Sequence, residues 1–232
     1  MKITYLEHSG FLVESADCAI IFDYFTGDIP PLPKDIQLYI LASHSHRDHF
    51  NPEIFSLKEQ YPNITYILSS DIRTRETAPI HYIAADESGD FPHFSLRTTD
   101  STDQGVSFLL TLHTGETVFH AGDLNWWTWI GEETEAEGQA MAERFKKEVS
   151  KLTPYHIDVA FLPLDPRQQE RFYWGFDYYM THLDIALALP MHFWGDSEVC
   201  GRLKALELSH NYRDKIRMLC KNGDSLTTGD SL

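Results

Sequence analysis

Leu38-Tyr39-Ile40-Leu41-Ala42-Ser43-His44-Ser45-His46-Arg47-Asp48-His49-Phe50-Asn51-Pro52-Glu53 is the stretch on which both the fold and the chemistry of this chain turn. Residues 38–42 are an apolar run of strand length. Asn51-Pro52-Glu53 offers an N-cap, a proline at the first helical position and an acid in the first turn, which predicts a helix running to about residue 60. Between the two lies a short loop with three histidines and a carboxylate within six residues. His44 and His46, two apart in an extended segment, point the same way, while Asp48 and His49 fall on the turn into the helix, so the four can converge on a metal ion. Neutral imidazole and carboxylate are borderline donors suited to zinc, manganese or iron. A lone histidine in such a loop would be an ordinary solvated residue; four ligand types at this spacing after a buried strand are not ordinary.

Working outward, short strand signals precede the loop at 2–6, 10–14 and 19–22 and follow the helix at 64–68. The segment 80–119 reads as all-β, with strands at 80–83, 95–99, 105–112 and 116–119 and a hairpin turn at Thr114-Gly115. Residues 132–152 carry Ala136, Ala140, Met141, Phe145, Val149 and Leu152 at helical spacing among many charges, an amphipathic helix with an acidic start and a lysine-rich end. A second cycle is expected after it: strand 157–162, helix 177–187, strand 189–193, helix 197–209 and a last strand near 216–220. No Gly/Ser-rich linker or charge block interrupts residues 1–232, so a single domain is expected. Its architecture is α/β, two sheets face to face with helices outside.

The composition narrows the partners. The chain of 232 residues has 19 Lys and Arg against 35 Asp and Glu, a formal net charge of −16. Nucleic-acid affinity depends on clustered cations that release counterions, and no basic run here exceeds Lys146-Lys147, which argues against a nucleic-acid partner. No apolar stretch reaches the length of a signal peptide or membrane span, and Cys18, Cys200 and Cys220 are widely and irregularly spaced, so a cytoplasmic protein with reduced thiols and no membrane span is expected. The 12 histidines are about twice an average complement.

HxHxDH after an apolar strand resembles the signature of the metallo-β-lactamase superfamily of metal-dependent hydrolases. Further segments are similar along the chain: Ile3-Thr4-Tyr5-Leu6-Glu7-His8-Ser9-Gly10-Phe11-Leu12-Val13-Glu14, Phe119-His120-Ala121-Gly122-Asp123 and Leu189-Pro190-Met191-His192-Phe193. The opening segment is similar to the branch containing ascorbate-6-phosphate lactonase and N-acyl phosphatidylethanolamine phospholipase D relatives. The resemblance implies a four-layer αβ/βα sandwich and a binuclear site for two divalent ions, zinc first, with manganese or iron as alternatives. It makes His44 and His46 ligands of one ion, Asp48 and His49 ligands of the second, Asp123 the bridge between them, and His192 a further ligand of the second. Read alone, Gly122-Asp123 after a strand is an ordinary turn and His192 an ordinary core histidine.

The chain departs from that pattern at one place. The histidine expected before the Gly-Asp strand is missing from Thr98-Thr99-Asp100-Ser101-Thr102-Asp103-Gln104-Gly105. Asp100 aligns best with it, Asp103 next, and a carboxylate there would favour a harder metal. His8 and His120 are candidates for proton transfer or for supporting the ligands. Asp165 could line the site. Trp126, Trp127 and Trp129 form either a pocket wall or helix packing, and the aromatic run 173–179 could face them. The implied reaction is hydrolysis of a small-molecule ester, lactone or phosphodiester by a metal-bound hydroxide that Asp48 orients or deprotonates. Alternatives are a non-catalytic or single-metal ligand binder, kept open by the missing histidine, and a nuclease, for which the chain offers neither an inserted domain nor a basic surface. A homo-oligomer is left open.

Overall fold

The computed structural model describes residues 1–229. Among them the chain runs through β1 (Lys2–Glu7), β2 (Gly10–Glu14), β3 (Cys18–Phe22), β4 (Gln37–Ala42), a 3₁₀ helix (Pro52–Glu59), β5 (Ile64–Ser69), β6 (Ile80–Ile83), β7 (Ser88–Phe91), β8 (Phe94–Asp100), β9 (Val106–Leu112) and β10 (Thr117–His120). It continues through α1 (Glu135–Ser150), β11 (His156–Pro163), α2 (Trp174–His182), β12 (Asp184–Met191), α3 (Glu198–Ala205) and β13 (Ser225–Thr227). One sheet has the order β13-β1-β2-β3-β4-β5-β6 and the other β12-β11-β10-β9-β8-β7. Each is antiparallel in its hairpin half and parallel elsewhere: β3 to β6 in the first sheet and β10 to β12 in the second. The α/β sandwich expected from the pattern is therefore the architecture found.

Strands buried on both faces explain why the decisive run at 38–42 lacks polar alternation. In β3, Cys18, Ile20 and Phe22 face the core between the sheets while Ala19 and Ile21 join an outer cluster; in β4, Tyr39 and Leu41 face inward and Leu38, Ile40 and Ala42 outward. The outer cluster is closed by Ile54 and Phe55 of the 3₁₀ helix. Between the sheets Phe161 stacks on Phe11, centroids 4.2 Å apart, and packs against Phe22. Beyond the second sheet, Phe145 of α1 and Tyr179 of α2 meet edge to face at 5.2 Å, and Tyr179 reaches Phe119 of β10.

Several boundaries differ from expectation, each for a local reason. Asn51 caps its helix by accepting the Glu53 N–H, but the turns that follow are 3₁₀. In α1 the reciprocal Thr134–Glu137 capping box sets the start at Glu135, three residues later than the acidic run suggests. Residues 184–187, expected as helix, pair in register with β11 as the start of β12. The last expected strand reduces to one bridge, Ala188 to Ile216, while β13 forms on the edge of β1. No helix among the described residues is long and apolar enough to cross a membrane.

Candidate metal centre

The parallel strands of both sheets end at one place, and the chemistry gathers there, outside their carboxyl ends. The loop after β4 supplies His44, His46, Asp48 and His49; β3 ends at Asp23, β10 leads to Asp123, β11 to Asp165 and β12 to His192; the turn between β1 and β2 supplies His8. Two glycines make the approach of the sheets tight enough. Gly105 and Gly122 have φ of +69° and +53°, and a Cβ on either would run into Ser43, for Gly122 at 2.8 Å from its Cβ.

Donor atoms fall into two groups, each within 4.8 Å: His44, His46, Asp103 and Asp123, and His8, Asp48, His49 and His192. Asp123 lies between them. Its Oδ2 is 3.5 Å from His44 Nε2, and its Oδ1 is 3.2 Å from His49 Nε2 and 3.4 Å from His192 Nε2. One carboxylate thus turns an oxygen toward each group. Asp48 Oδ2 is 3.2 Å from His8 Nε2 and 3.7 Å from His192 Nε2.

The imidazoles are held so that their bare nitrogens face inward. His49 donates Nδ1–H to Asp23 Oδ2 at 2.7 Å, His192 donates Nδ1–H to Asp165 Oδ2 at 3.0 Å, and His44 donates Nδ1–H to Ser43 Oγ at 3.0 Å. Ser43 in turn donates its hydroxyl to Asp23 Oδ2 at 2.6 Å and its N–H to Asp23 Oδ1 at 2.7 Å. Such outer carboxylates fix ring orientation and raise ligand basicity. Each ring then aims Nε2 at the centre, and the buried His8 Nε2, His49 Nε2, His192 Nε2 and Asp123 Oδ1 have no hydrogen-bond partner. Bare lone pairs facing carboxylate oxygens in a buried space need positive charge between them. Burial pushes the His44 imidazole down to about 4, keeping it neutral and ligand-competent. His49 is pushed the other way: burial opposes its charge, but Asp123 and Asp23 on either side outweigh burial and raise it well above its ordinary value. The donor set therefore fits divalent cations on both sides of Asp123.

Backbone strain concentrates at the same residues. His8, Asp23 and His192 hold φ of +55°, +41° and +62° without being glycine. Such residues persist where the surroundings over-determine them, typically at functional sites.

Not every candidate from the sequence arrives here. The structure brings Asp103, not Asp100, to the first group. β8 carries Asp100 only to the edge of the sheet, where its carboxylate accepts the Ser101 N–H at 3.0 Å and its own N–H goes to Glu148. The loop beyond is pinned beside Asp123 by Thr102, whose hydroxyl reaches the Asp123 and Asn125 carbonyls, and by Arg144 of α1, which donates to the Ser101 and Thr102 carbonyls. That delivers Asp103 Oδ2 to 3.5 Å from His46 Nδ1. His120 is placed below the ligands rather than among them: Nε2–H donates to the Ser9 carbonyl at 2.9 Å, Nδ1 accepts the Gly122 N–H at 3.1 Å, and the ring stacks on Phe22. Both of its nitrogens are occupied, and burial holds its pKa low.

The tryptophans divide between both readings. Trp126 packs against Phe145, Trp174 and Tyr178, so the two aromatic runs do meet. Trp127 and Trp129 instead line a cavity of about 350 Å³ together with Asp48, Asp103, Asp123 and His192. Trp127 donates its indole N–H to the Asp123 carbonyl at 3.0 Å. Asp23 and Arg167, the latter on the cavity rim, have no part in the sequence-based reading. The one local signal for Asp23 is an acid directly after a continuous apolar strand.

A two-sheet sandwich with paired His and Asp groups at the carboxyl ends of its parallel strands defines a metal-centre protein of the metallo-β-lactamase kind. Residues 2–134 match the family model described as the beta-lactamase superfamily domain, and the chain belongs to that superfamily. A UPF0173 metal-dependent hydrolase from Desulforamulus reducens is 30% identical over an alignment 142 positions long that covers 53% of this chain and 62% of that protein; the chain thus spans less than two thirds of that relative's length. Among solved structures, the metallo-beta-lactamase fold protein YhfI from Bacillus subtilis superposes with a TM-score of 0.67 at 12% identity, over 97% of this chain and 99% of that one. Igni18, a metallo hydrolase from Ignicoccus hospitalis, gives 0.66 at 17% identity, over 97% of each chain. At these identities the likeness is one of fold.

Proposed function

We propose that the protein is a metal-dependent hydrolase with two cation positions, one on His44, His46, Asp103 and Asp123 and one on His49, Asp48, His192 and Asp123 with His8 beside it. The observation that carries this reading is the pair of buried, unpartnered Nε2 atoms of His49 and His192 aimed at Oδ1 of Asp123, whose other oxygen faces His44 Nε2. Cations bound there would lower the pKa of a shared water toward neutrality and polarise a carbonyl or phosphoryl oxygen. Asp48 is the carboxylate of the second group that opens on the cavity, so it orients the attacking water by accepting its hydrogen bond. Burial keeps His8 below its ordinary pKa, and its bare Nε2, 3.2 Å from Asp48, would accept the proton that the attacking water gives up and return it to the departing group. Trp127 and Trp129 exclude bulk water from one side of the cavity.

The substrates that suit this arrangement are esters, lactones or phosphodiesters of small molecules. Two carboxylates at the first position, where the sequence lacks a third histidine, bring manganese or iron into contention with zinc. The test is metal analysis of protein purified without added metal, followed by a panel of lactone, ester, thioester and phosphodiester substrates. About two equivalents of metal with turnover of one substrate class is the expected result, and His46→Ala should lose metal and turnover together. Full activity in that variant would sink the reading; one equivalent or none without turnover would point instead to a ligand binder.

A further inference from the structure

Among the residues that line the cavity over the metal groups, Arg167 is the one side chain with a permanent positive charge; its charged neighbours there are Asp48, Asp103 and Asp123. Its guanidinium is held in a defined plane. Nε donates to both Asp165 oxygens, at 3.0 and 2.9 Å, and Nη2 donates to Oδ2. The guanidinium carbon lies 4.7 Å from the ring centre of Trp194 and 5.7 Å from that of Trp129. Nη1 has no hydrogen-bond partner among the described residues, and the side chain remains about half exposed at 48%. Support of Asp165, and through it of His192, uses only the Nε and Nη2 edge. The remaining edge is a donor pair whose plane Asp165 fixes, on a side chain that lines the cavity near two indoles.

We propose that this cavity takes a substrate bearing a single carboxylate bound by Arg167, next to a flat apolar body that lies along the indoles of Trp129 and Trp194. This identifies the substrate class of the hydrolase site proposed above and rests on that cavity being its substrate site. Planar guanidinium and carboxylate groups pair in one plane through charge-assisted hydrogen bonds. The indoles of Trp194 and Trp129 near the guanidinium help to hold its plane and offer apolar surface next to it. Asp165 already offsets one unit of charge and occupies one edge of Arg167, and divalent cations at the two positions would offset the three carboxylates that line the cavity, so the planar edge left over, and not repulsion from those acids, favours a single planar carboxylate over a tetrahedral phosphate. Trp194 also borders an adjoining cavity of about 640 Å³ with Arg47, Phe25 and Phe50, which leaves room for the rest of a longer molecule across the scissile bond.

The experiment measures binding, not turnover, so it stands apart from the hydrolase reading. Titration calorimetry on the protein as purified compares phenylacetate, its neutral isostere phenylacetamide and benzylphosphonate, for the wild type, Arg167→Met and Arg167→Lys, with metal content measured in each. The expected result is tighter binding of phenylacetate than of either other probe, a loss of about tenfold or more for phenylacetate in Arg167→Met, partial recovery in Arg167→Lys, unchanged phenylacetamide binding and unchanged metal content. Phenylacetate affinity unaltered in Arg167→Met overturns the proposal, as does tighter binding of benzylphosphonate. Parallel loss of metal and of affinity for both phenyl probes also overturns it, because Arg167 would then serve only to hold Asp165 and His192. A protein that turns over no member of the lactone, ester, thioester and phosphodiester panel but gives the expected binding pattern refutes the hydrolase reading and leaves the anion subsite standing.

Discussion

Asp23 is wholly buried and accepts hydrogen bonds from three donors, the Ser43 N–H, the Ser43 hydroxyl and His49 Nδ1–H. It therefore orients one imidazole of each candidate donor group, His49 directly and His44 through Ser43. Asp23→Asn should lower metal affinity by about tenfold to a hundredfold, read by competition with a chromogenic chelator; undiminished affinity would show that the ring orientations do not depend on it. A paired comparison separates the two acids of the 98–105 loop. Asp103→Asn should lose the metal held by His44 and His46, while Asp100→Asn, whose carboxylate only accepts the Ser101 N–H, should keep its full complement by elemental analysis. The His44 to His49 cluster is legible in the sequence because one loop carries it, and periodicity in an extended segment says which way its side chains point. Asp23 is not legible, because its partners lie 20 and 26 residues further along and are brought to it only by the pairing of β3 with β4. The choice of Asp103 over Asp100 is set by a loop pinned from α1, a contact that no local pattern contains.

Among the elements, the turn after β10 constrains the site closely. Gly122 combines φ of +53° with contacts that would put a Cβ 2.8 Å from Ser43 Cβ and 2.9 Å from the Val106 carbonyl oxygen. Gly122→Ala should cost roughly 2–4 kcal/mol by urea unfolding, since left-handed strain adds to an overlap with backbone that cannot move aside, and it should weaken metal binding as well because Ser43 supports His44. Thr134→Ala, at the capping box of α1, should cost about 1 kcal/mol and leave metal content unchanged. Equal effects of the two variants on metal binding would contradict the placement of Gly122 against the ligand loop. The amphipathic pattern over α1 and the apolar runs of β3 and β4 are legible because burial on one face or both leaves a period in the sequence. The boundary between α2 and β12 is not. Phe176, Tyr179, Ile185 and Leu189 are all buried, so the apolar run continues from helix into strand without the break in pattern that would mark Leu183 as the end.

At the scale of the molecule, the excess of acid is not evenly spread. Asp23, Asp48, Asp103, Asp123 and Asp165 converge on one end of the sandwich, with Arg167 as the permanent cation among the residues that line the cavity. Like charges in a partly buried space repel more strongly than on the surface, because the surrounding protein screens them poorly. Divalent cations bound there would offset that repulsion, which would couple metal binding to folding. At a free metal concentration of about 100 times the dissociation constant the linkage is worth about 2.7 kcal/mol per site. For a domain of this size 1 kcal/mol moves the unfolding midpoint by about 2–4 °C. Treatment with a chelator should therefore lower Tm by about 5–10 °C for each site emptied, measured by scanning calorimetry before and after dialysis. Raising sodium chloride to about 0.5 M should restore less than half of the loss, because screening acts on exposed charges far more than on buried ones. Asp123→Asn removes the shared carboxylate and should make Tm insensitive to the chelator. An unchanged Tm on metal removal in the wild type would mean that the acids at this end of the molecule are already balanced by protons, with His49 charged between Asp23 and Asp123 in place of a cation.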